Sequence, residues 1–241
     1  MTCAASSSTD KPGRAGGARV VRGRGRRPVV LGLTGSIGMG KSTAAGMLRR
    51  LGVSVHDADA TVHRLMAPGG AAVPAIAAAF PEVVADGAVD RKALGARVFQ
   101  DTAALRRLEA ILHPRTRASA WAFVRHHRRR RTPVVVLDMP LLFETGGEDL
   151  CDLVAVVAAP PFVQRTRVLR RPGMTRARLD AIRARQLPDR VKRRRADVVI
   201  ETGLGKAVTF RALRRLVMRL RRARPQSEGL PEGLRGMNRH A

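Results

Sequence analysis

The 241-residue sequence contains no tyrosine, one tryptophan and two cysteines. So few aromatic rings do not suggest the stacking platform on which many single-strand nucleic-acid binders hold bases. Cys3 and Cys151 are too few for a disulfide framework or a cysteine-based metal site, and they favour a reducing, cytoplasmic setting. The hydrophobic core must therefore be built from Val, Leu, Ile and Ala.

Long apolar runs are also missing. No run approaches the roughly 18 residues that span a bilayer, and the amino terminus lacks the apolar middle of a secretory signal. We therefore expect no membrane association. Residues 1–27 are rich in Ser, Gly and Arg, which predicts a flexible basic tail, with an organellar transit peptide as the alternative. Residues 223–241 are predicted to be a second, polar tail.

Acidic residues are scarce, because 19 Asp and Glu stand against 46 Lys and Arg and give a net charge of +27. Such a charge suits a polyanionic partner, namely nucleotide phosphates, nucleic acid or an acidic membrane surface. An arginine-rich composition, with much of the charge on solvated faces and tails, is the favoured explanation for most of it. We therefore expect no nucleic-acid partner.

Buried β-strands are predicted at five apolar segments separated by helical patterns. They lie at 29–33, 53–56, 132–140, 152–160 and 196–202. The first two flank a helix predicted over 41–51, and this βαβ unit indicates a parallel sheet. The sequence therefore predicts a three-layer α/β/α sandwich with a five-stranded parallel sheet.

One domain is predicted over 28–222, with an insertion in it. Residues 60–127 have helical patterns and no clear strand, so we expect a helical insertion. Within it, a helix is predicted to begin at the cap Asp101 and to stop at Pro114. In parallel sheets, ligands bind beyond the carboxyl ends of the strands, so the residues after each strand carry the functional analysis.

The first strand is followed by Gly35–Ser42, GSIGMGKS, which fits the pattern G-x-x-x-x-G-K-[ST]. Such a loop wraps backbone N–H groups around a phosphate, and the following helix points its positive end at the same anion. Lys41 is predicted to contact the β- and γ-phosphates, and Ser42 to bind Mg²⁺. The predicted ATP-binding residues are Gly35, Ser36, Ile37, Gly38, Met39, Gly40, Lys41, Ser42 and Thr43.

Acidic residues end two further strands. Asp138 closes the run VVVLD and is predicted to lie near Mg²⁺ or its water, although a turn-capping role is the alternative. Asp57 and Asp59 follow the second strand, where one of them is suited to accept a proton from a substrate hydroxyl. Both also suit the N-cap of a helix over 60–66, and their spacing does not choose between them.

The segment 164–195 holds twelve arginines and Lys192 but only two acids. Two helices on either side of a Pro-Gly break are predicted, and they are suited to fold over a triphosphate. Arg167 and Arg171 lie four apart, which predicts one shared helix face; most of the other arginines are expected to be solvated. His63 and His113 are isolated, so no zinc site is expected.

Three other functions are alternatives to the ATP-dependent kinase that these motifs favour. A GTPase needs Asn-Lys-x-Asp to read guanine, and the only asparagine is Asn238. A basic nucleic-acid binder does not explain Lys41-Ser42 or Asp138. Another P-loop kinase of a small molecule is the nearest alternative. The two are distinguished by which acceptor is phosphorylated at the expense of ATP.

These motifs resemble one family closely, that of dephospho-CoA kinase. Residues 32–43, GLTGSIGMGKST, are similar to the family's GLTGGIGSGKST, with Ser36 and Met39 as departures. Residues 138–144, DMPLLFE, are similar to its D-[IV]-PLLFE signature. The resemblance covers about residues 29–220, and further matches are Leu51-Gly52, Asp57-Ala58-Asp59, His63, Leu94, Val98-Phe99, Leu108-Glu109, His113-Pro114, Gln164, Arg167, Arg171, Gln186 and Ala196-Asp197.

The resemblance implies transfer of the ATP γ-phosphoryl group to the 3′-hydroxyl of the dephospho-CoA ribose, with ATP and Mg²⁺. We expect a monomer or weak homo-oligomer. It implies that Asp59 is the base, with Lys41, Arg167 and Arg171 also catalytic. It further implies a CoA-binding insertion at 60–127, substrate contacts from His63 and His113, and a lid within 164–195. Thr202 stands where the family usually has Asn near the adenine.

Overall fold

The computed structural model describes residues 27–85, 87–99 and 101–223. Five of its strands are β1 (Val29–Thr34), β2 (Ser54–Asp57), β5 (Val134–Asp138), β6 (Leu153–Ala158) and β7 (Val198–Glu201). They form one parallel sheet in the order β2-β5-β1-β6-β7. The five predicted strands and their parallel arrangement are therefore confirmed.

The three central strands β1, β5 and β6 are buried along their whole length. They are rich in Val and Leu because helices cover both faces of the sheet, which leaves no polar side to the strands. The edge strands β2 and β7 contain partly exposed residues. Central strands thus appear in the sequence as unbroken apolar runs, and edge strands do not.

Helices cover the sheet on both sides. On one side, Leu31 of β1 packs in a cluster with Leu48 of α1 (Lys41–Arg50) and Leu216 of α9 (Lys206–Arg222). On the other side, Val30 packs in a cluster with Ala120 of α5 (Thr102–Arg129). Neighbouring strand residues point to opposite faces, so β1 serves both layers. The three-layer α/β/α architecture is confirmed.

The insertion between β2 and β5 has a hydrophobic cluster of its own. It contains α2 (Ala58–Met66), α3 (Val73–Ala79), α4 (Arg91–Phe99) and the first part of α5. Ile76, Phe80 and Leu94 are buried in this cluster together with Leu108 of α5. The insertion is therefore mainly helical, as the sequence predicts.

One prediction about the insertion is wrong, because it contains a small β-hairpin. Strand β3 (Val84–Ala85) pairs antiparallel with β4 (Ala88–Val89). Each strand has only two residues, so no alternating pattern develops in the sequence.

The predicted helix stop at Pro114 is also wrong, since α5 runs 28 residues through the proline. Proline lacks the N–H that bonds to the carbonyl four residues earlier, which usually breaks a helix. Here buried residues on both sides of the proline, Leu112 and Ala120 among them, keep the helix packed. The Arg115 side chain strengthens this turn by donating to Ile111 O at 2.7 Å and to Ala71 O at 3.2 Å. The predicted cap is confirmed, since Asp101 accepts a hydrogen bond from Ala104 N.

The basic segment after β6 forms three helices rather than two. They are α6 (Pro161–Leu169), α7 (Arg176–Ala184) and α8 (Asp189–Arg195). Lys192 of α8 is fully buried, and its Nζ lies 2.8 Å from Glu144 Oε1. The same oxygen accepts a hydrogen bond from Leu187 N. This contact joins α8 and the residues before it to the loop that follows β5.

The predicted tails lie almost wholly outside the described residues. Arg27 is described, and its guanidinium forms an ion pair of 2.8 Å with Asp152, so this end of the predicted tail is attached to the domain. None of the helices in the described ranges combines the length and the apolar character needed to cross a membrane.

Candidate active site

The loop between β1 and α1 and the first three residues of α1, together residues 35–43, border a cavity of about 520 Å³. We call these residues the phosphate loop and this cavity the phosphate cavity. Eight of the nine predicted ATP-binding residues line this cavity, namely Gly35, Ser36, Ile37, Gly38, Gly40, Lys41, Ser42 and Thr43. The ninth, Met39, is buried, and its Sδ accepts a hydrogen bond from Ala159 N. The Met39 side chain therefore anchors the phosphate loop to Ala159 instead of lining the cavity.

Two glycines of the phosphate loop have backbone conformations that other residues rarely adopt. The φ angle is 76° at Gly38 and 91° at Gly40. A Cβ atom at Gly38 would also lie 2.4 Å from Val168 Cγ2. Glycine is required at both positions, and it lets the backbone amides approach the cavity.

Lys41 lies between two carboxylates at the edge of the sheet. Its Nζ is 2.8 Å from Asp138 Oδ1 and 4.0 Å from Asp59 Oδ2. Asp138 is almost completely buried, and burial raises its pKa above the ordinary value, while Lys41 opposes that shift. Asp138 thus holds the Lys41 ammonium group at the phosphate cavity.

The structure separates the two aspartates between which residue spacing alone does not choose. Asp57 is the N-cap of α2, accepts a hydrogen bond from Ala60 N, and lies 3.5 Å from Arg49 Nη2. Asp59 lies in the first turn of α2, its side chain is 65% exposed, and it lines the phosphate cavity. Asp59 is therefore the carboxylate available to a substrate.

Arg167 and Arg171 both line the phosphate cavity. Arg167 donates to Thr202 Oγ1 at 3.0 Å and to Thr202 O at 2.7 Å. The two arginines do not share a helix face, because α6 ends at Leu169 and Arg171 lies beyond it. That part of the prediction is wrong, although both side chains reach the same cavity.

Two glutamines hold the phosphate loop in a way that the motifs did not reveal. Gln164 of α6 donates to Ile37 O at 2.7 Å, and Gln186, which lies between α7 and α8, accepts from Ile37 N at 3.0 Å. Both glutamines are among the residues that resemble the family, but no local pattern indicates contacts that join positions more than a hundred residues apart. The basic segment is thereby bonded to the phosphate loop.

A second cavity of about 580 Å³ lies between α2, α5 and the loop after β5. Its lining is mostly apolar and includes Val62, Leu105, Leu108, Leu112, Met139 and Leu141. Asp59 and Pro140 border this cavity and the phosphate cavity alike. The two cavities therefore meet at Asp59.

The two isolated histidines occupy different places. His113 lines the second cavity, beside Glu109 and Arg117. His63 is exposed on α2 and borders neither of these two cavities. The structure thus brings His113 into the site and leaves His63 at its edge.

The site offers hard oxygen donors for a divalent cation in the hydroxyl of Ser42 and the carboxylate of Asp138. Magnesium usually binds one or two carboxylates, waters and substrate phosphates, so this small donor set suits it. Among the described residues, no group of three or more His, Cys, Asp or Glu side chains is placed to hold a metal.

Residues 29–206 match the sequence model of one family, described as dephospho-CoA kinase. A dephospho-CoA kinase from Paramagnetospirillum magneticum is 71% identical over 164 residues, which cover 68% of this chain and 77% of that protein. One from Rhodospirillum rubrum is 62% identical over 188 residues, which cover 77% of this chain and 89% of that protein. The chain belongs to the dephospho-CoA kinase family. The predicted kinase activity and the predicted role in coenzyme A synthesis are confirmed at this level.

Solved structures agree with the fold described above. A crystal structure from Thermus thermophilus has a TM-score of 0.69 and 37% identity, and the match covers 80% of this chain and 97% of that one. A dephospho-CoA kinase from Campylobacter jejuni has a TM-score of 0.54 and 22% identity, covering 79% and 96% of the two chains. The second likeness supports the fold alone.

Proposed function

We propose that the chain transfers the γ-phosphoryl group of ATP to the 3′-hydroxyl of the dephospho-CoA ribose, with Asp59 as the general base. The observation that carries this proposal is the position of Asp59, which borders both the phosphate cavity and the apolar cavity. A nucleotide phosphate in the first and an acceptor in the second would meet at this carboxylate.

The reaction then needs only positioning and charge stabilisation, as is usual in phosphoryl transfer. Asp59 accepts the proton of the acceptor hydroxyl as its oxygen forms a bond to the γ-phosphorus. The bond from that phosphorus to the bridging oxygen breaks, and ADP leaves with the electron pair. Arg167 and Arg171 line the phosphate cavity and are placed to neutralise charge on the transferred group.

Lys41 and Asp138 act as a unit in this proposal. The 2.8 Å contact to Asp138 fixes the Lys41 ammonium group, which then contacts the β- and γ-phosphates. Ser42 and Asp138 would hold Mg²⁺, which neutralises phosphate charge when it is bound with ATP.

The insertion supplies the acceptor site. Dephospho-CoA carries a long pantetheine arm, and the mostly apolar second cavity matches it in character. His113, which lines this cavity, is proposed to contact the acceptor, and exposed His63 to contact it at the edge of the site.

The lid is proposed to lie within the segment 164–195, because Arg167, Arg171 and Gln186 of this segment line the phosphate cavity. We also propose a cytoplasmic location and a monomer or weak homo-oligomer. Size-exclusion chromatography at several protein concentrations tests the last point.

The function is tested by a coupled assay of ADP release with Mg-ATP and one acceptor at a time. Dephospho-CoA is expected to support turnover, whereas pantothenate, adenosine and shikimate are expected not to. The product should carry its new phosphate on the ribose 3′-oxygen by ³¹P NMR. Faster turnover with another acceptor would assign the chain to a different small-molecule kinase.

A further inference from the structure

We propose that Thr202 is a positioning residue that sets the phosphate loop and Arg167 for ATP binding. This inference rests on the proposed function. It concerns how the site is held in place, and neither the motifs nor the family membership assigns it.

The Thr202 hydroxyl joins three separate parts of the site. It is buried at the end of β7, and Oγ1 donates to Met39 O at 2.7 Å, with Ala158 O of β6 at 3.2 Å. The same oxygen accepts a hydrogen bond from Arg167 Nη1 at 3.0 Å. One hydroxyl therefore links the phosphate loop, the central sheet and a cavity-lining arginine.

The bond to Met39 O determines where the next amide points. In a trans peptide, the C=O and the following N–H point in opposite directions. Because Thr202 holds the Met39 carbonyl, the N–H of Gly40 is turned away from Thr202 and is kept for an anion. Gln164 acts similarly two residues earlier, since it holds Ile37 O and so orients the N–H of Gly38.

Thr202 also fixes the direction of Arg167. Two N–H groups of the guanidinium are bonded to Thr202, one to its hydroxyl and one to its carbonyl. A guanidinium has five such donors in a rigid fork, so the donors not used by Thr202 can serve a phosphate without reorientation. Gly40 lies so close that a Cβ there would be 3.2 Å from Thr202 Oγ1, so Thr202 packs directly against the phosphate loop.

The test is the affinity of the full chain for ADP, measured by calorimetry without acceptor. Thr202→Val keeps the side-chain shape but removes the hydroxyl, so the dissociation constant should rise about tenfold, as for loss of a hydrogen bond to a charged group. Thr202→Ser should restore most of the affinity. The KM for ATP should rise in Thr202→Val, while the KM for dephospho-CoA stays near that of the parent.

The matched control is Thr166→Val, because the Thr166 hydroxyl donates within α6 to Phe162 O, and Thr166 does not line the phosphate cavity. This variant should bind ADP like the parent. If Thr202→Val does not fold, Thr202→Ala carries the same expectation. Unchanged ADP affinity in the folded variant, or loss that Thr202→Ser does not repair, overturns the proposal. Because no acceptor is present, failure of the acceptor assignment would not affect this result.

Discussion

Asp57 and Asp59 are two residues apart, so the same Asp→Asn substitution can be compared at both positions. Asp59→Asn removes the proposed base without changing the size of the side chain, so phosphoryl transfer should fall about 10²–10⁴-fold. ATP binding should stay nearly intact. Steady-state rates and ATP dissociation constants of purified variants measure both effects.

Asp57→Asn is the matched control for that experiment. Asparagine caps a helix about as well as aspartate does, so this variant should keep its turnover and stability. Near-normal turnover in Asp59→Asn, or an equal loss in Asp57→Asn, would contradict the assignment of the base.

At the level of single residues, the sequence predicts what a contiguous motif encodes. Lys41 and Ser42 stand at fixed positions in such a motif, and their place in the cavity follows from it. The choice between Asp57 and Asp59 depends instead on which side chain caps α2, and that is a property of the backbone. The hydrogen bonds of Thr202, Gln164 and Gln186 join parts of the chain that meet only after folding, so no spacing in the sequence indicates them.

At the scale of secondary-structure elements, a buried ion pair attaches α8 to the loop that follows β5. Lys192 is fully buried against Glu144, whose side chain is 15% exposed. Lys192→Met leaves this carboxylate without its cation, which should lower the free energy of unfolding by about 3–5 kcal/mol. Urea unfolding followed by circular dichroism measures the change.

An exposed ion pair in the same segment supplies the control. Arg183 lies 3.9 Å from Asp180, and both side chains are more than half exposed, so Arg183→Met should cost at most about 1 kcal/mol. Adding Glu144→Gln to Lys192→Met should recover part of the loss, because Gln still accepts from Leu187 N. Equal small losses in Lys192→Met and Arg183→Met would show that the buried pair contributes little.

Elements were predicted best where one physical pattern dominates. The strands β1, β5 and β6 are buried on both faces, and their apolar runs show this directly. The continuation of α5 through Pro114 depends on packing on both sides of the proline, which a local rule does not include. The hairpin β3–β4 is too short to form a pattern, and α8 is so rich in arginine that it reads as a solvated stretch.

For the whole molecule, the question is whether the net charge of +27 serves the reaction. Every residue proposed here for the site lies within the described residues, so a chain of residues 27–223 should keep the ATP-dependent transfer rate of the full chain. The coupled ADP-release assay on both chains measures this.

A parallel titration with a DNA or RNA oligonucleotide at two salt concentrations tests the alternative function. Salt-dependent binding that survives removal of residues 1–26 and 224–241 would support a nucleic-acid partner. A large loss of transfer in the shortened chain would show that the terminal residues take part in the reaction.

The strand order has a consequence for how this enzyme can change. Strand β5 lies between β1 and β2, so Lys41 and Asp59, which follow β1 and β2, lie beside Asp138 at the end of β5, although Lys41 and Asp138 are 97 positions apart. The insertion leaves the sheet after Asp57, the last residue of β2, and returns at β5. In the proposed function, lengthening, shortening or exchanging the insertion after Asp59 would alter which alcohol is presented, while Lys41 and Asp138 remain anchored to the neighbouring strands β1 and β5. New acceptor preferences can therefore arise in this architecture without rebuilding its chemistry.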